Sequence, residues 1–273
     1  MRFSTGCVST YEANGCGGPD LPWCVVNGID FRSWYHGATR GTVSYAVLTA
    51  WNDGDVWGSD FRDSAGGDIV PDGGSDVPDL YFFSGHGICQ ASQTATGSDF
   101  LSVCGDFGKP DDVNIGSQSR WGNGAAGHLR FLFLDASCPM DLASLAKDWF
   151  PAFAGLHVAT GHSGTRTQDS LDSPFRAAQF AGYTAASSSQ FFKSPFGGFG
   201  FGSGLGFGWY PVLSVGDAWM TTGLIDVESG CCAVVAAAGE TRADAEDRRD
   251  NETVWDERSD PVPSWIAWRW ICA

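Results

Sequence analysis

The sequence predicts an α/β fold with a mostly parallel central sheet. Three short apolar runs lack the regular polar alternation of a half-exposed strand, which is typical of strands covered on both faces; they are residues 80–83, 129–134 and 156–160. The segments between them are long enough for the crossovers that parallel neighbours require. A chain of 273 residues fits one large domain with a sizeable core.

The first third of the chain gives few periodic signals. Residues 1–40 are rich in Cys and Gly, and we expect an irregular N-terminal arm there, with the folded domain at residues 41–273. Residues 42–51 (TVSYAVLTAW) are compatible with a helix or a strand packed on the core. The Asp/Gly-rich run 53–79 is predicted to be a loop because turn residues dominate it.

The rest of the chain predicts alternating helices and strands. We expect helices at residues 141–150, 170–186 and 217–226, a strand at 232–238, a charged loop at 242–260 and a terminal edge strand at 264–272. A Gly/Phe segment at 196–208 favours either a plain loop or a mobile flap that supplies aromatic walls to a substrate cleft.

Charge and hydropathy exclude two classes of partner. The chain has 16 Lys and Arg against 32 Asp and Glu, a net charge of −16. It lacks the cluster of basic residues that binds a phosphate backbone, so we expect no nucleic-acid partner. No run approaches 18 apolar residues, so we expect no spanning helix and no membrane partner. The first residues lack a signal-peptide apolar region, which predicts a cytoplasmic protein by default and a secreted one if a leader was trimmed.

Nine cysteines leave the redox compartment open. There is no Cys-x-x-Cys pair, so a structural zinc site has little support. Cys7, Cys16 and Cys24 would be disulfide-linked in an oxidising compartment, or small apolar fillers in the cytosol.

Polar clusters follow the three apolar runs, and they carry the main functional signal. His86 follows the first run, Cys138 the second and His162 the third. Because chemistry in parallel α/β sheets collects at the carboxyl ends of the strands, we expect His86 and Cys138 to lie at one edge of the sheet. A thiolate beside a histidine base is the chemistry of nucleophilic acyl transfer.

The residue after Cys138 suggests how its thiolate could be stabilised. Proline favours the first position of a helix, so Pro139 predicts that Cys138 is an N-cap residue. A helix N-terminus lowers a thiol pKa, although Asp135 and Asp141 nearby oppose that effect.

Two motifs give a family resemblance. "YFFSGHG" followed by "LFLDASC" resembles the caspase, legumain and gingipain clan of cysteine peptidases. The 52-residue separation of His86 from Cys138 is close to the caspase spacing of about 50. Within the clan, the chain is similar to an uncharacterised bacterial branch with "SGHG", "RWGN" (residues 120–123) and "GLH" motifs.

The resemblance implies a caspase-like three-layer sandwich with a mostly parallel central sheet, and a caspase-like catalytic domain at residues 41–273. It implies a cysteine endopeptidase that acts on peptide or protein substrates. His86 would be the general base, Cys138 the nucleophile, and the amides of Gly87 and Cys138 the oxyanion hole. The chain departs from the pattern at Pro139, which has no N–H to offer, where many members carry glycine soon after the nucleophile.

Further site residues follow from the same arguments. His162, Asp217 and Asp60 are candidates for the substrate cleft, and the acidic surface favours a basic P1 residue. His162 is alternatively a histidine bonded to backbone, and His157 a satisfied core histidine. No organic cofactor is implied; calcium is an option at Asp68, Asp72 and Asp76. Lys193 is a candidate self-processing site.

The sequence leaves three alternatives to a peptidase open. A transpeptidase or ligase would use the same two residues, with an amine resolving the thioester. A non-catalytic interaction module would share the fold alone. A metal-dependent hydrolase would use His86, His162, Cys138 and Asp135 as ligands, but their spacing matches no common metal motif.

Overall fold

Twelve strands, six α-helices and two short 3-10 helices (Asp53–Asp55 and Gly58–Phe61) are the regular elements of the described part of the chain. The computed structural model describes residues 1–12, 18–62, 74–88, 99–103, 111–122, 127–165, 172–185, 212–224 and 230–273. In chain order the elements are β1 (Arg2–Cys7), α1 (Cys24–Tyr35), β2 (Thr39–Arg40), β3 (Val43–Ser44), β4 (Ala46–Asn52), β5 (Leu80–Ser84), β6 (His86–Ile88), β7 (Phe100–Ser102), β8 (Val113–Asn114), α2 (Ile115–Gln118), β9 (Phe131–Asp135), α3 (Leu145–Ala152), β10 (Val158–Ser163), α4 (Asp172–Ala185), α5 (Val215–Thr222), β11 (Cys232–Gly239), α6 (Arg242–Asn251) and β12 (Trp265–Cys272).

A seven-stranded sheet with the order β12-β11-β10-β9-β5-β1-β4 forms the centre of the molecule. Pairing is parallel from β4 through β10, whereas β11 runs antiparallel to both β10 and β12. A small antiparallel sheet contains β6, β7 and β8, and a hairpin contains β2 and β3. The predicted α/β class with a mostly parallel sheet is therefore confirmed.

Two hydrophobic cores explain why the central strands are apolar along their whole length. Every residue of β5 and β9 is buried. Alternate residues of the two strands point to opposite faces: Leu80, Phe82, Phe131 and Phe133 contribute to one core. Tyr81, Phe83, Leu132 and Leu134 contribute to the other. Helices cover both faces, which is the environment that a buried parallel sheet requires.

Several predicted elements are confirmed with small shifts in their ends. The three apolar runs form β5, β9 and β10, and the predicted helices at 170–186 and 217–226 correspond to α4 and α5. Residues 42–51 contribute to β3 and β4, and the C-terminal strand lies at the sheet edge as expected. Cys232 and Cys272, opposite each other on β11 and β12, form a disulfide.

Two segments differ from the sequence expectation. Residues 1–40 are not an irregular arm, because β1 lies between β4 and β5 inside the sheet and α1 packs against β1 and β5. Residues 242–260 are not only a charged loop, since α6 occupies residues 242–251. The Thr241 hydroxyl caps α6 by accepting a hydrogen bond from the Asp244 amide, and Arg248 bonds Asp244 four residues away.

Within the described residues, no helix combines the length and apolar character needed to cross a bilayer.

A buried ionic cluster lies at the amino end of β10. Glu252 is fully buried, and its carboxylate oxygens lie 2.5 Å from His157 Nδ1, 3.6 Å from Arg248 Nη1 and 3.8 Å from Arg130 Nη2. His157 directly precedes β10 and is fully buried, so it is the satisfied core histidine that the sequence favours. Each buried charge in this cluster is stabilised by the opposite charges beside it. Removal of one partner therefore leaves an uncompensated buried charge and lowers the free energy of unfolding.

We expect Glu252→Gln to lower the free energy of unfolding by about 3 kcal/mol, because Arg130 and Arg248 would lose their buried counter-ion. Urea denaturation followed by circular dichroism measures the change. Glu246→Gln is the matched control, since Glu246 pairs with Arg242 on the exposed face of α6 and should cost about 0.5 kcal/mol or less. Equal losses in the two variants would contradict the assignment of a stabilising role to the buried cluster.

Candidate functional site

The pairing of β5 with β9 brings the two predicted catalytic residues to one edge of the sheet. The strands are parallel with Ser84 opposite Asp135, and the Gly85 amide donates to the Asp135 carbonyl over 3.2 Å. His86 follows one strand by two residues, and Cys138 follows the other by three. The predicted neighbouring arrangement of these two strands is confirmed.

His86 has a defined proton position. The residue is partly exposed, and its Nε2 lies 2.8 Å from the Pro19 carbonyl oxygen. A carbonyl oxygen can only accept a hydrogen bond, so Nε2 carries the proton in the neutral ring. Nδ1 then keeps a lone pair that can accept a proton from another group.

Tyr11 holds the backbone and the ring of His86. The His86 amide donates to Tyr11 Oη over 2.8 Å, and the same hydroxyl donates to the Ser102 carbonyl over 2.9 Å. The Tyr11 ring meets the His86 ring edge-on, with centroids 4.3 Å apart. Burial raises the pKa of Tyr11 well above its usual range, so the phenol stays a hydrogen-bond donor. Sequence reasoning missed Tyr11, since nothing around a single tyrosine in a Gly-rich segment indicates this contact.

Cys138 adopts a backbone conformation that is unusual for a side chain with a Cβ atom. Its φ angle is 52°, in the left-handed region, and the residue is 5% exposed. Its amide donates to the Gly164 carbonyl over 3.1 Å, so an oxyanion would have to compete with that carbonyl for the same N–H. Non-glycine residues in this region cost energy and are concentrated at functional sites.

Cys138 is disulfide-bonded in this structure. A disulfide sulfur is neither a thiol nor a thiolate, so this oxidised form cannot act as a nucleophile. Nucleophilic chemistry at Cys138 therefore requires reduction of the bond by a thiol.

The segment after Cys138 is a series of turns rather than a helix. Cys138 is not an N-cap residue, because α3 begins at Leu145, so the helix-dipole argument for its thiolate does not apply. Met140 donates its amide to the His162 carbonyl over 3.1 Å, and Trp149 Nε1 lies 2.9 Å from the Pro139 carbonyl. Gly161 leaves room for this segment, since a Cβ atom there would meet Pro139 and Met140.

A buried carboxylate fixes the start of the same segment on the opposite face of the sheet. Asp135 Oδ2 lies 2.6 Å from Arg176 Nη2, 3.1 Å from Asn27 Nδ2 and 3.3 Å from Ser84 Oγ. These partners belong to α4, α1 and β5, so three elements determine where β9 ends. Their distance in the sequence explains why spacing alone did not reveal them.

His162 lies inside the protein. The residue is fully buried in β10, its Nε2 donates to the Gly223 carbonyl over 2.9 Å, and its ring lies 5.1 Å from that of Trp219. It contacts backbone, the arrangement that the alternative interpretation of the sequence favoured, and it has no surface open to solvent in this conformation.

The two candidate cleft carboxylates lie in different environments. Asp217 is in the first turn of α5, exposed, with Oδ1 2.6 Å from Arg269 Nη2. Asp60 is buried in a 3-10 turn and accepts the Trp57 amide over 2.8 Å. Burial raises the pKa of Asp60 to about 6.

Several predicted residues lie outside the described part of the chain: Asp68, Asp72, Lys193, Cys16 and the Gly/Phe segment 196–208. Asp76, the third calcium candidate, accepts the Gly122 amide over 2.6 Å. Within the described ranges, no group of three His, Cys, Asp or Glu side chains is arranged to hold a metal ion. Gly87 lies in β6 opposite Leu101, and its role in an oxyanion hole stays a prediction.

Cys7 provides a contrast to Cys138 at the same edge. It ends β1, is fully buried and is a free thiol. Burial raises its pKa to about 12, so Cys7 remains protonated at neutral pH and is a poor nucleophile.

The fold and the site together define an α/β protein with a histidine and a cysteine at the carboxyl edge of a mostly parallel sheet. Residues 12–270 match the model of the family described as a domain of unknown function (DUF6345). The chain belongs to that family. No curated protein and no solved structure is significantly similar to it.

The raised pKa of Asp60 predicts a pH-dependent stability. Between the ordinary pKa of 3.8 and the folded value of about 6, the unfolded chain releases this proton and the folded chain keeps it. The free energy of unfolding therefore falls as the pH rises through that window.

We expect the free energy of unfolding of the wild type, measured relative to that of Asp60→Asn, to fall by about 2 kcal/mol between pH 4 and pH 7. Urea titrations at both pH values measure the difference, with Asp217→Asn as a control for an exposed carboxylate. A difference between wild type and Asp60→Asn that does not change with pH would contradict the prediction.

Proposed function

We propose that the chain is a cysteine peptidase with a caspase-like fold, in which reduced Cys138 is the nucleophile and His86 the general base. The observation that carries the proposal is the orientation of His86. Its Nε2 donates to the Pro19 carbonyl at the edge where β5 and β9 end together. This leaves Nδ1 as the proton acceptor within the part of the fold that carries Cys138.

His86, the proposed base, is oriented by a further group, as a base that activates a nucleophile has to be. In nucleophilic catalysis a base takes the proton of the nucleophile, and another group orients the base. The Pro19 carbonyl fills that role here, and Tyr11 fixes the backbone of the same residue. A backbone carbonyl also favours the imidazolium that forms after proton transfer, because it accepts the Nε2 proton in both states.

The reaction steps follow from these positions. His86 Nδ1 takes the Cys138 thiol proton, and the thiolate attacks the carbonyl carbon of the scissile peptide bond. The C–N bond breaks, the leaving amine takes the proton from His86, and a thioester forms on Cys138. Water, deprotonated by His86, then hydrolyses the thioester and regenerates the thiol.

The oxyanion requires backbone donors, because Pro139 has no amide. The proposed donors are the amides of Gly87 and Cys138. The Cys138 amide now donates to the Gly164 carbonyl, so the proposal includes a local rotation that frees it when substrate binds. The left-handed backbone at Cys138 is a conformation from which such a change relieves strain.

The substrate is proposed to be a peptide with a basic P1 residue. The support is electrostatic, since a net charge of −16 attracts cationic peptides over long range. No organic cofactor takes part in the proposed steps.

One observation favours a second candidate, a non-catalytic module of the same fold. Cys138 is disulfide-bonded and its amide is already used, which is also what a structural cysteine would show. The response of the protein to reduction separates the two candidates.

We expect peptide hydrolysis to appear only after treatment with a dithiol reductant, because only the reduced Cys138 can become a thiolate. A fluorogenic peptide library with every P1 residue measures it. Cys138→Ala should abolish the activity, and His86→Ala should lower kcat by about 100-fold or more through loss of the base.

Cys7→Ala is the matched control, since it removes a buried thiol at the same sheet edge and should leave kcat within about threefold of the wild type. Activity that survives in Cys138→Ala would contradict the proposed nucleophile. A reduced wild-type protein that cleaves no peptide of the library would favour the non-catalytic module.

A further inference from the structure

Asp99 is a buried carboxylate beneath the segment that follows Cys138. It is 1% exposed and directly precedes β7. Its Oδ1 accepts the Asp141 amide over 3.1 Å and the Ser144 hydroxyl over 2.8 Å, and its Oδ2 accepts Trp149 Nε1 over 2.9 Å. Two donors from the chain that links Cys138 to α3, and a third from α3 itself, therefore converge on one side chain.

The backbone of Asp99 is fixed as firmly as its carboxylate. Its amide donates to Asp148 Oδ2 on α3 over 3.0 Å, and its carbonyl accepts the Ile115 amide over 3.0 Å. The next residues form β7, which pairs with β6 so that Ser102 lies opposite His86. Asp99 thus connects the small sheet that begins at His86 with the turns that follow Cys138.

The energetic environment of Asp99 does not favour a charge. Burial is the largest of the causes that raise the pKa of Asp99 to about 8; the carboxylates of Asp148 and Asp141 act in the same direction, and the hydrogen bonds from Ser144 and Asp141 act against them. Among the described residues no Lys or Arg forms an ion pair with Asp99, and the ion pair of Asp148 with exposed Lys147 spans 4.0 Å. A buried carboxyl group without a counter-ion lowers the free energy of unfolding relative to an apolar side chain of similar size. What Asp99 provides, and an apolar residue could not, is the set of hydrogen bonds to Asp141, Ser144 and Trp149.

We propose that Asp99 is a positioning residue that holds the turns at residues 138–144, the Cys138 segment, in a fixed position relative to His86. The inference rests on the proposed function, because it assigns Asp99 a role in the geometry of the same two residues. Asp99 does not touch the reacting atoms. It acts through the Asp141 amide, the Ser144 hydroxyl and the Trp149 indole.

Asp99→Asn tests the role with a nearly isosteric change. An asparagine has one acceptor oxygen and one NH₂ group, and the NH₂ group faces either the Asp141 amide or Trp149 Nε1. With the NH₂ group towards Asp141, the Asp141 amide loses its acceptor. With the NH₂ group towards Trp149, the indole N–H faces a second donor and keeps only the Pro139 carbonyl as its acceptor. Either orientation removes a hydrogen bond of the segment while the side-chain volume is kept.

The first measurement is the alkylation rate of Cys138 by iodoacetamide in the reduced protein, from pH 6 to pH 9, quantified by peptide mass spectrometry. Cys138 is 5% exposed, so a loosened segment should raise its alkylation rate by about fivefold or more. The second measurement is peptide hydrolysis, in which kcat should fall by about 10-fold or more while KM changes by less than about threefold.

Glu252→Gln is the control for a general loss of stability. Glu252 is a fully buried carboxylate at the amino end of β10, whereas the Cys138 segment contacts the carboxyl end of that strand. The control should leave the Cys138 alkylation rate and kcat at wild-type values. Faster alkylation together with slower turnover, in Asp99→Asn alone, supports the positioning role.

Two results would overturn the inference. One is an Asp99→Asn protein with the wild-type alkylation rate and kcat; the other is an equal change in Asp99→Asn and Glu252→Gln. If the reduced wild type cleaves no peptide, the proposed function fails, and the alkylation rates alone still decide whether Asp99 positions Cys138.

Discussion

The parallel register of β5 and β9 determines the geometry on which the rest of the site depends. Ser84 lies opposite Asp135, and the Gly85 amide extends the ladder by donating to the Asp135 carbonyl. Side chains alternate with a period of two along each strand, so a shift of one residue would turn either end away from its present face. Every residue of both strands is buried, and burial on two faces makes such a shift costly.

Buried polar groups fix the two segments that follow β5 and β9. Asp135 is bonded from α1, α4 and β5 on one face of the sheet. Asp99 bonds the turns after Cys138, and Tyr11 bonds the backbone of His86. These groups are expensive to bury, and each is matched by specific hydrogen bonds. These polar groups would destabilise the fold without their hydrogen bonds, and they lie near the sheet edge where the proposed chemistry takes place.

The sequence could predict the parts of the fold that rest on apolar periodicity. β5, β9 and β10 are continuous apolar runs, and their order gives the mostly parallel sheet. β1 was missed because its sequence RFSTGC reads as polar; within the sheet, the Ser4 hydroxyl accepts a hydrogen bond from Thr49 on β4. α6 was missed because it has no apolar stripe, and its support comes from a Thr241 cap and pairs of opposite charge.

The candidate site could be predicted only where residue type carries the signal. His86 and Cys138 stand out because few residues can serve as base and nucleophile, and their strand-end positions follow from the fold. The Pro19 carbonyl could not be found in this way, since every residue has a carbonyl and only the fold selects one. The backbone at Cys138 was also misjudged, because the N-cap expected from Pro139 gave way to a left-handed turn.

Covalent labelling of the reduced protein by a peptidyl acyloxymethyl ketone tests the central claim most directly. Such a probe mimics the substrate carbonyl and alkylates a cysteine only when a base and oxyanion donors are in place. We expect one adduct, on Cys138, that forms in the wild type and is lost in His86→Ala. An adduct on any other cysteine, or labelling of Cys138 that does not depend on His86, would contradict it.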